Sequence, residues 1–268
     1  MHGTYIGEGK ILVSPTWGGH LIIPAADLSI TPHLIISGQF EPPLTHYVLQ
    51  NIKPGQTVLD VGANFGYYTT LFGLMVGAQG KVIAYEPDPH MFSFLSDNIG
   101  TNYLHQQIEL RNRAVYSESK KLTLHVSSKF SGHSSIYKRD SEELRKFDMA
   151  YDPFVEEVTV KAETLDEAFS DEVNFDFLKM DIEGGEYHAF LGMKNLILQK
   201  RVKTMVFEWS RQALGENVSP FIALLDEYSR KTGKQFYVLN HNGLPIATSL
   251  AVFSAQEFIH SVLFADPL

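Results

Sequence analysis

From residue 57 onward, short apolar runs alternate with segments in which apolar residues recur at the spacing of a helix. Continuous apolar runs are typical of parallel strands that are buried on both faces, and the segments between them suit the crossover helices that join such strands. The pattern therefore predicts an α/β fold built on a doubly wound, mostly parallel sheet. The predicted strands cover residues 57–61, 81–85, 108–114, 175–180, 203–208, 235–239 and 261–265.

The segments between these strands predict the helices. Asp88 precedes Pro89 at the start of one such segment, and this pair is typical of an N-cap followed by the first helical residue. Asn242-Gly243 is a strong signal for a tight turn, which predicts that the sheet ends in an antiparallel pair of strands. The predicted helices cover residues 67–76, 89–99, 164–169 and 220–231.

Two stretches fall outside this alternation. Residues 1–50 contain short β-branched pieces, for example 34–37, among prolines that break regular elements, so we predict an N-terminal cap of short strands and turns. About 60 residues separate the third and fourth strands, whereas a crossover requires roughly a dozen. The excess, at about 116–162, is predicted to be an insertion over the active site. The strands predicted within it cover residues 121–127 and 157–161.

The composition narrows the class of partner. The chain has 22 basic and 31 acidic residues, a formal charge of −9, so its mean field repels the phosphates of nucleic acids and of anionic membranes. Nucleic-acid and membrane partners are therefore not expected, and a small molecule or a glycan suits the protein better. The absence of cysteine excludes disulfides, thiolate zinc sites and cysteine nucleophiles. Because no secretory signal or bilayer-spanning apolar run is found, a cytoplasmic location is expected.

The most informative stretch is a strand that ends in an acid and runs into a glycine-rich turn and a helix. Gly62 and Gly66 let the backbone bend sharply and approach a bound molecule. The spacing departs from the G-x-G-x-x-G of dinucleotide sites, and the nearby Asp60 would repel a pyrophosphate but attract a cation. Glu86 ends the second predicted strand, where a carboxylate can accept both hydroxyls of a ribose. Asp60 and Glu86 together suit a cofactor that carries an ammonium, a ribose and a sulfonium, which describes S-adenosylmethionine.

Three motifs follow one another along the chain. They are Asp60-Val61-Gly62-Ala63-Asn64-Phe65-Gly66, Glu86-Pro87 and Leu178-Lys179-Met180-Asp181-Ile182-Glu183-Gly184-Gly185-Glu186. In this order they resemble the FkbM family of S-adenosylmethionine-dependent methyltransferases, from about residue 54 to the C-terminus. The resemblance implies the class I methyltransferase fold, a Rossmann-like sheet of seven strands with an antiparallel last strand, in a domain covering 51–268. It also implies O-methylation of a hydroxyl on a small molecule or sugar.

The resemblance further implies which residues bind the cofactor. The turn that would cradle its methionine end comprises Asp60, Gly62, Ala63, Asn64 and Gly66. Glu86 would hold the ribose, and Arg113 and Ala114 would lie near the adenine. Asp181 would face the methyl group and the acceptor.

Acidic residues crowd the turn after the fourth predicted strand. A hydroxyl oxygen is a poor nucleophile until its proton leaves, so we expect a general base or a metal ion. Asp181, Glu183 and Glu208 are expected at adjacent strand ends, where they either share the base role or hold a hard cation through oxygen. Our hypothesis is that Asp181 or Glu183 takes the proton, and no metal ligand is assigned. For Glu186, at a helix start, a structural role is favoured, and His133 is the histidine that could reach an acceptor.

Two other interpretations of the same residues stay open. A nicotinamide-dependent oxidoreductase also uses an acid at the end of the second strand, although the glycine spacing counts against it. A non-catalytic module that binds S-adenosylmethionine would keep the cofactor motifs without the acceptor residues. Cofactor binding, and methyl transfer to a panel of acceptors, distinguish the three.

Overall fold

The computed structural model describes residues 2–127, 129–137, 155–169 and 173–267, so residues 138–154 of the predicted insertion lie outside the described residues. The strands are β1 (Gly3–Gly7), β2 (Lys10–Val13), β3 (Leu21–Pro24), β4 (Thr57–Val61), β5 (Lys81–Tyr85), β6 (Ile108–Arg111), β7 (Ala114–Val115), β8 (Lys120–Ser127), β9 (Val155–Glu163), β10 (Phe175–Met180), β11 (Val202–Ser210), β12 (Gln235–Leu239), β13 (Pro245–Thr248) and β14 (Phe258–Ala265). The helices are α1 (Thr31–Ser37), α2 (Pro42–Asn51), α3 (Tyr67–Val76), α4 (Pro89–Thr101), α5 (Leu165–Ala168), α6 (Glu186–Leu191), α7 (Lys194–Leu198), α8 (Arg211–Leu214), α9 (Val218–Thr232) and α10 (Leu250–Ser254). None of the described helices is both long and apolar enough to cross a bilayer.

The main sheet contains eight of these strands, in the order β13-β12-β14-β11-β10-β4-β5-β6. Strands β6, β5, β4, β10 and β11 run parallel, and β14 lies antiparallel between β11 and β12. The chain starts at the centre with β4, moves outward through β5 and β6, and then returns to β10 to build the other half. This confirms the predicted doubly wound α/β sheet with an antiparallel late strand.

The structure adds an eighth strand that the sequence analysis did not predict. Asn242-Gly243 does form a tight turn, in which Gly243 has φ +76°, but the turn leads into β13 and not directly to the last strand. β13 pairs antiparallel with β12 at the edge of the sheet. Ile246 is 52% exposed, and the strand begins with Pro245, which edge strands tolerate. Because this edge buries little apolar surface, its sequence lacks the pattern of a core strand.

Two hydrophobic cores cover the two faces of the main sheet. Alternate residues of β4 point to opposite faces, so Val58 joins one core with Leu71 and Leu95 of α3 and α4, while Leu59 joins the other with Phe190 of α6. All five side chains are at most 1% exposed. Burial of each stabilises the fold by about 1.5–3 kcal/mol.

The N-terminal cap contains helices as well as strands, which corrects the prediction of short strands and turns alone. β1, β2 and β3 form a small antiparallel sheet, but residues 34–37, predicted as a strand, belong to α1, and α2 follows. Pro32 lies in the first turn of α1, where its missing N–H breaks no helical bond, and Leu34 is fully buried. Burial of one helical face therefore overrides the strand preference of Ile35 and Ile36.

The third predicted strand divides in two. β6 ends at Arg111, and the chain turns through Asn112 and Arg113 before β7 begins at Ala114. The Arg113 N–H donates to the Arg111 carbonyl (2.9 Å), which stabilises the turn locally. β7 leaves the main sheet and joins β9 and β8 in a separate three-stranded sheet. That sheet contains the two strands predicted within the insertion.

Asp27 joins the cap to the insertion. Its carboxylate, 2% exposed, accepts the backbone N–H groups of Ile30 and Thr31 in the cap (both 2.8 Å). It also accepts the N–H of Ser131 in the insertion (2.9 Å), and the Ser29 hydroxyl donates to it as well (2.6 Å). One buried side chain therefore holds two segments that are distant in sequence.

Candidate functional site

A cavity of about 920 Å³ opens at the carboxyl ends of β4, β5, β10 and β11. The order of the strands reverses between β4 and β10, and open α/β sheets bind ligands at such a crevice. Parts of the cap, including Phe40 and Glu41, and residues 131–137 of the insertion complete the wall. Pockets for small ligands commonly enclose roughly 300–1,000 Å³, so the cavity suits a small molecule.

Close approach of two backbone segments shapes the glycine-rich turn after β4. Gly62 has φ +81°, and a Cβ atom there would collide with the carbonyl oxygen of Asp181. The N–H groups of Gly62 and Ala63 both donate to the last carbonyl of β5 (3.0 and 2.9 Å). Gly66 precedes α3 with φ +95°, packs against Leu95 and does not line the cavity. Gly62 and Ala63 therefore form part of the predicted binding wall, whereas Gly66 serves packing.

Glu86 follows β5 with both carboxylate oxygens held by backbone N–H groups. Asn64 donates to Oε2 (2.7 Å), and Asp88 donates to Oε1 (2.8 Å). Glu86 is 6% exposed and lines the cavity, and its burial raises its pKa to about 8. Asn64 adopts φ +53° on the same wall and reaches the Ser131 hydroxyl with its side chain (3.4 Å). The turn thus positions the carboxylate that was predicted to bind a ribose.

Asp60 lies beneath the turn and is not among the residues that line the cavity, and its predicted contact with a cofactor stays a prediction. It is fully buried, accepts the Thr69 hydroxyl (2.6 Å) and lies 4.0 Å from the Lys179 ammonium. Lys179 donates to the Gly62 carbonyl (3.2 Å) and pairs with Asp181 (3.5 Å). Burial acts to lower the pKa of Lys179, but the charges of Asp181 and Asp60 raise it above its ordinary value. The cation that Asp60 attracts is therefore supplied by the chain itself.

The turn between β6 and β7 forms the wall that was predicted to lie near an adenine. Ala114 and Val115 are buried and line the cavity, and Arg113 borders it with its guanidinium 3.3 Å from Glu163. The Asn112 side chain donates to the backbone carbonyl of the strand-end glutamate on the neighbouring strand (2.8 Å). This bond ties the wall to the end of β5.

Three carboxylates meet on the opposite side of the cavity. Asp181 and Glu183 follow β10, Glu208 lies in β11, and one oxygen of each falls within 4.8 Å of those of the other two. Glu208 is 9% exposed, and no described residue donates a hydrogen bond to it. Its burial, together with the charges of Asp181 and Glu183, raises its pKa far above the ordinary range. Carboxylates at this spacing can share a proton or hold a hard cation, which are the two roles expected from the sequence.

Glu186, at the start of α6, shapes the turn that carries Asp181 and Glu183. Its carboxylate is 2% exposed and accepts the N–H groups of Ile182 and Gly184 (both 3.0 Å). Burial raises its pKa to about 7. These bonds support the structural role that was favoured from the sequence.

Glu41 and His260 also border the three carboxylates, and the sequence analysis assigned neither to the site. Glu41 precedes α2 with φ +41°, accepts the Tyr68 hydroxyl (3.0 Å) and lies 3.4 Å from Nδ1 of His260. No local motif marks His260, which reaches the site because β14 returns beside β11. His133 borders the cavity with its ring stacked on Phe130 at 5.5 Å between centroids.

The cavity therefore has two sides, which we name by their residues. The turn side comprises Gly62, Ala63, Asn64, Glu86, Arg113, Ala114 and Val115. The acidic side comprises Glu41, Asp181, Glu183, Glu208 and His260. Lys179 lies between them, bonded to Gly62 on one side and paired with Asp181 on the other.

A sequence model described as the methyltransferase FkbM domain matches residues 60–236, about two thirds of the chain. The chain belongs to this family. The match confirms the predicted resemblance, and with the strand order it confirms the class I methyltransferase fold. In this FkbM-family protein, Glu41 and His260 lie outside the matched span.

Curated relatives match only a short part of the FkbM-family chain. Protein-L-isoaspartate O-methyltransferase 1 of Arabidopsis thaliana is 42% identical over 50 residues, which is 19% of this chain and 22% of that protein. Protein-L-isoaspartate O-methyltransferase 2 of the same organism is 35% identical over 75 residues, which is 28% of this chain and 21% of that protein. The chain thus aligns with about a fifth of the length of these relatives.

Solved structures show distant likeness. A methyltransferase FkbM from Methylobacillus flagellatus KT is 16% identical with a TM-score of 0.47, over 78% of this chain and 43% of that one. A putative O-methyltransferase from Klebsiella pneumoniae is 10% identical with a TM-score of 0.48, over 85% of this chain and 80% of that one. The fold assignment rests on the strand order and the family match, not on these likenesses.

Proposed function

We propose that this FkbM-family protein transfers the methyl group of S-adenosylmethionine to an oxygen atom of a small molecule or sugar. The observation that carries the proposal is Glu86, buried in the cavity wall with each carboxylate oxygen fixed by one backbone N–H. A carboxylate oxygen has two lone pairs, so each oxygen keeps one for a ribose hydroxyl. The curated relatives are named O-methyltransferases, which supports oxygen as the acceptor atom.

The remaining turn-side residues fit the same cofactor. Ala114 and Val115 offer a buried apolar wall for the adenine, and Arg113 borders it. Gly62 brings backbone into the cavity wall without a side chain. Lys179 and Asp181 carry opposite charges at the junction of the two sides. These charges suit the carboxylate and the ammonium of the methionine end.

For methyl transfer, the protein mainly has to align the acceptor oxygen with the methyl group and to remove the proton of the acceptor. S-adenosylmethionine supplies a methyl group on a positively charged sulfur, which the acceptor oxygen attacks in line. Residues of the cap and residues 131–137 of the insertion line the cavity, so a ligand bound there displaces water. On the acidic side, Asp181 and Glu183 accept hydrogen bonds from acceptor hydroxyls. Glu208 is protonated at neutral pH because burial raises its pKa, so it donates one instead.

Asp181 and Glu183 are the carboxylates that the sequence-based hypothesis assigns as the proton acceptor. If one of them has this role, Asp181→Asn or Glu183→Gln lowers kcat by about 10²–10⁴-fold and leaves the affinity for S-adenosylhomocysteine within about threefold of wild type. Wild-type turnover in both variants would exclude the assignment, and the carboxylates would then only orient the acceptor.

The charge of the acidic side bears on the acceptor class. Glu41, Asp181 and Glu183 bring several carboxyl groups together at the place where the acceptor would lie. Such a site disfavours phosphate and sulfate esters, so we expect an uncharged or cationic acceptor. Nucleic acid and membranes are accordingly not proposed as partners.

Titration calorimetry and methyl transfer test the proposal in two steps. Calorimetry with S-adenosylmethionine, S-adenosylhomocysteine and NADH is expected to show binding of the first two only. Radiolabelled methyl transfer to a panel of monosaccharides, methyl glycosides, phenols and alkanols is then expected to yield at least one labelled ether. Binding of NADH alone would support an oxidoreductase, and binding of S-adenosylmethionine without transfer to any member of the panel would support a non-catalytic module.

A further inference from the structure

A histidine and a glutamate lie within ion-pair distance of each other at the rim of the acidic side. Nδ1 of His260 lies 3.4 Å from one carboxylate oxygen of Glu41, and the Tyr68 hydroxyl donates to the other oxygen (3.0 Å). Glu41 has φ +41°, a conformation that L-residues rarely adopt outside functional or tightly packed sites. The Tyr68 hydroxyl therefore holds one oxygen of the glutamate, and the other oxygen faces the imidazole ring.

The pairing of β11 and β14 brings this histidine to Glu208. Phe207 pairs with Val262, whereas Trp209 pairs with Ile259, so the register shifts between them. Two residues of β14, at positions 260 and 261, thus face the single residue 208, which is the pattern of a β-bulge. Bulges occur next to active sites because they redirect a side chain. Here the irregularity lies where both strands meet the cavity.

From this geometry we propose that His260, oriented by Glu41, is the general base that takes the proton of the acceptor hydroxyl. The inference rests on the proposed methyl transfer and replaces the assignment of that role to Asp181 or Glu183. With the Nδ1 proton directed at Glu41, the lone pair lies on Nε2, and no hydrogen bond joins a described residue to Nε2. The imidazole side chain is 68% exposed, so an acceptor in the cavity can reach it.

The proton balance of the step is simple. The O–H bond of the acceptor would break as a bond between its proton and Nε2 forms, and the oxygen would keep the electron pair with which it bonds to the methyl carbon. The bond between that carbon and the sulfur would break at the same time, and the sulfur would keep its electron pair, so that S-adenosylhomocysteine leaves. His260 becomes an imidazolium whose charge Glu41 offsets. Since the ring is exposed, the proton then passes to solvent, and the neutral imidazole is restored before the next turnover.

The surrounding charges change the pKa of His260. The interaction with Glu41 raises the pKa of His260, partial desolvation of the ring opposes this, and the charges of Glu41, Asp181 and Glu183 raise the pKa further. Glu208 faces it across the bulge as a protonated carboxyl group at neutral pH. Phe258, also on β14, packs its ring against the imidazole at 4.5 Å between centroids. A base whose pKa lies near the working pH is the most effective one.

The test compares His260→Gln with wild type, with the acceptor from the panel that is methylated fastest. We expect kcat to fall by about 10²–10⁴-fold while the dissociation constant of S-adenosylhomocysteine stays within about twofold. His241→Gln, in the exposed turn between β12 and β13, is the matched control and is expected to keep the wild-type kcat. A kcat of His260→Gln within threefold of wild type would overturn the inference and return the base role to Asp181 or Glu183.

The pH profile and NMR separate a base from a structural residue. The base acts unprotonated, so wild-type kcat is expected to rise with pH and level off above the pKa of His260. The rise of kcat with pH is expected at lower pH in Glu41→Gln and is expected to be absent in His260→Gln. An NMR titration of the imidazole, which needs no acceptor, is expected to show the same downward shift of the pKa in Glu41→Gln. An unchanged imidazole pKa in that variant would show that Glu41 does not influence His260, and it would contradict the proposal.

Failure of the proposed function gives a different set of results. If S-adenosylhomocysteine does not bind, or binds without any acceptor being methylated by the wild type, O-methylation itself is wrong, and the base assignment is wrong with it. If the wild type is active and His260→Gln is equally active with normal binding, only the base assignment is wrong. A melting temperature of His260→Gln within about 2 °C of wild type shows that a loss of activity does not come from unfolding.

Discussion

The turn side and the acidic side each place a buried carboxylate at a strand end, yet the two carboxylates are held differently. Glu86 is 6% exposed and Glu208 is 9% exposed. Backbone N–H groups donate to both oxygens of Glu86, whereas no described residue donates to Glu208. The first carboxylate is fixed before a ligand arrives, whereas no described residue fixes the second by a hydrogen bond. Under the proposed methyl transfer, the turn side is therefore preorganised for the cofactor, and the acidic side constrains the acceptor less.

Gly62→Ala is expected to have the largest effect, because it tests whether the turn side depends on its backbone geometry. The new Cβ would collide with the Asp181 carbonyl at a position with φ +81°. We expect destabilisation by more than about 4 kcal/mol, or, if the protein folds, loss of affinity for S-adenosylhomocysteine by more than about 100-fold. Thermal unfolding and calorimetry measure the two quantities.

Gly55→Ala is the matched control for this substitution. Gly55 has φ +85°, but nothing lies within 4 Å of a Cβ atom built there. It therefore isolates the conformational part of the effect, which is expected to be about 1–2 kcal/mol. Equal destabilisation by the two variants would show that contact with the Asp181 carbonyl is not what requires glycine in the turn.

Glu86→Gln removes the charge of the preorganised carboxylate and is expected to have the next largest effect. The loss of charge-assisted hydrogen bonds to two ribose hydroxyls should weaken binding of S-adenosylhomocysteine by about 10–100-fold. Burial raises the pKa of Glu86 to about 8, and the ionised form accepts these bonds. Wild-type affinity is therefore expected to increase from pH 6 to pH 8, by at most about tenfold per pH unit, and then to level off.

Calorimetry across this pH range checks the expectation. The affinity of Glu86→Gln should be independent of pH, and Glu257→Gln, which removes a carboxylate that is 87% exposed, should behave as wild type. A rising affinity that persists in Glu86→Gln would assign the pH dependence to another group and would remove the main support for ribose binding.

Glu208→Gln is expected to have the smallest effect, and it is expected to stabilise the protein. The pKa of Glu208 is raised by burial and by neighbouring carboxylates, so its contribution to stability is present below its unfolded pKa and is lost as the pH rises. Glutamine cannot ionise, and the substitution removes no hydrogen bond among the described residues. The melting temperature of the variant should exceed that of wild type by about 2–4 °C at pH 9, as expected for about 1 kcal/mol, with little difference at pH 5. A lower melting temperature at pH 9 would mean that Glu208 has a stabilising partner.

The predictability of the two sides follows from how far their contacts reach along the chain. Gly62, Asn64 and Glu86 follow strong apolar strands, so their positions at the sheet edge could be predicted from sequence. The pairing of Asp60 with Lys179 could not, because it depends on which strand lies beside β4. The family match confirms the motif that contains Asp60, and the cofactor contact assigned to Asp60 stays a prediction.

The reach of the contacts along the chain also explains why only part of the acidic side could be predicted. Asp181, Glu183 and Glu208 follow or end strands of the core, and the structure brings them together. Glu41 and His260 join them through contacts between the cap and the last strand, which no local pattern indicates. Residues 34–37, which were predicted as a strand, lie in a helix because burial of one face of α1 outweighs the strand propensity of these residues. The edge strand β13 was not predicted because it buries little apolar surface.

Asp27 sets a condition on how large molecules could enter the cavity. Its carboxylate bonds simultaneously to the cap and to Ser131, and the Leu28 N–H donates to the Lys129 carbonyl beside it (2.7 Å). Neither segment can move away from the other without breaking these bonds, so the cap and Ser131 form one connected wall of the cavity. A ligand that pushed these two parts of the wall apart would have to break the bonds of this one acidic side chain.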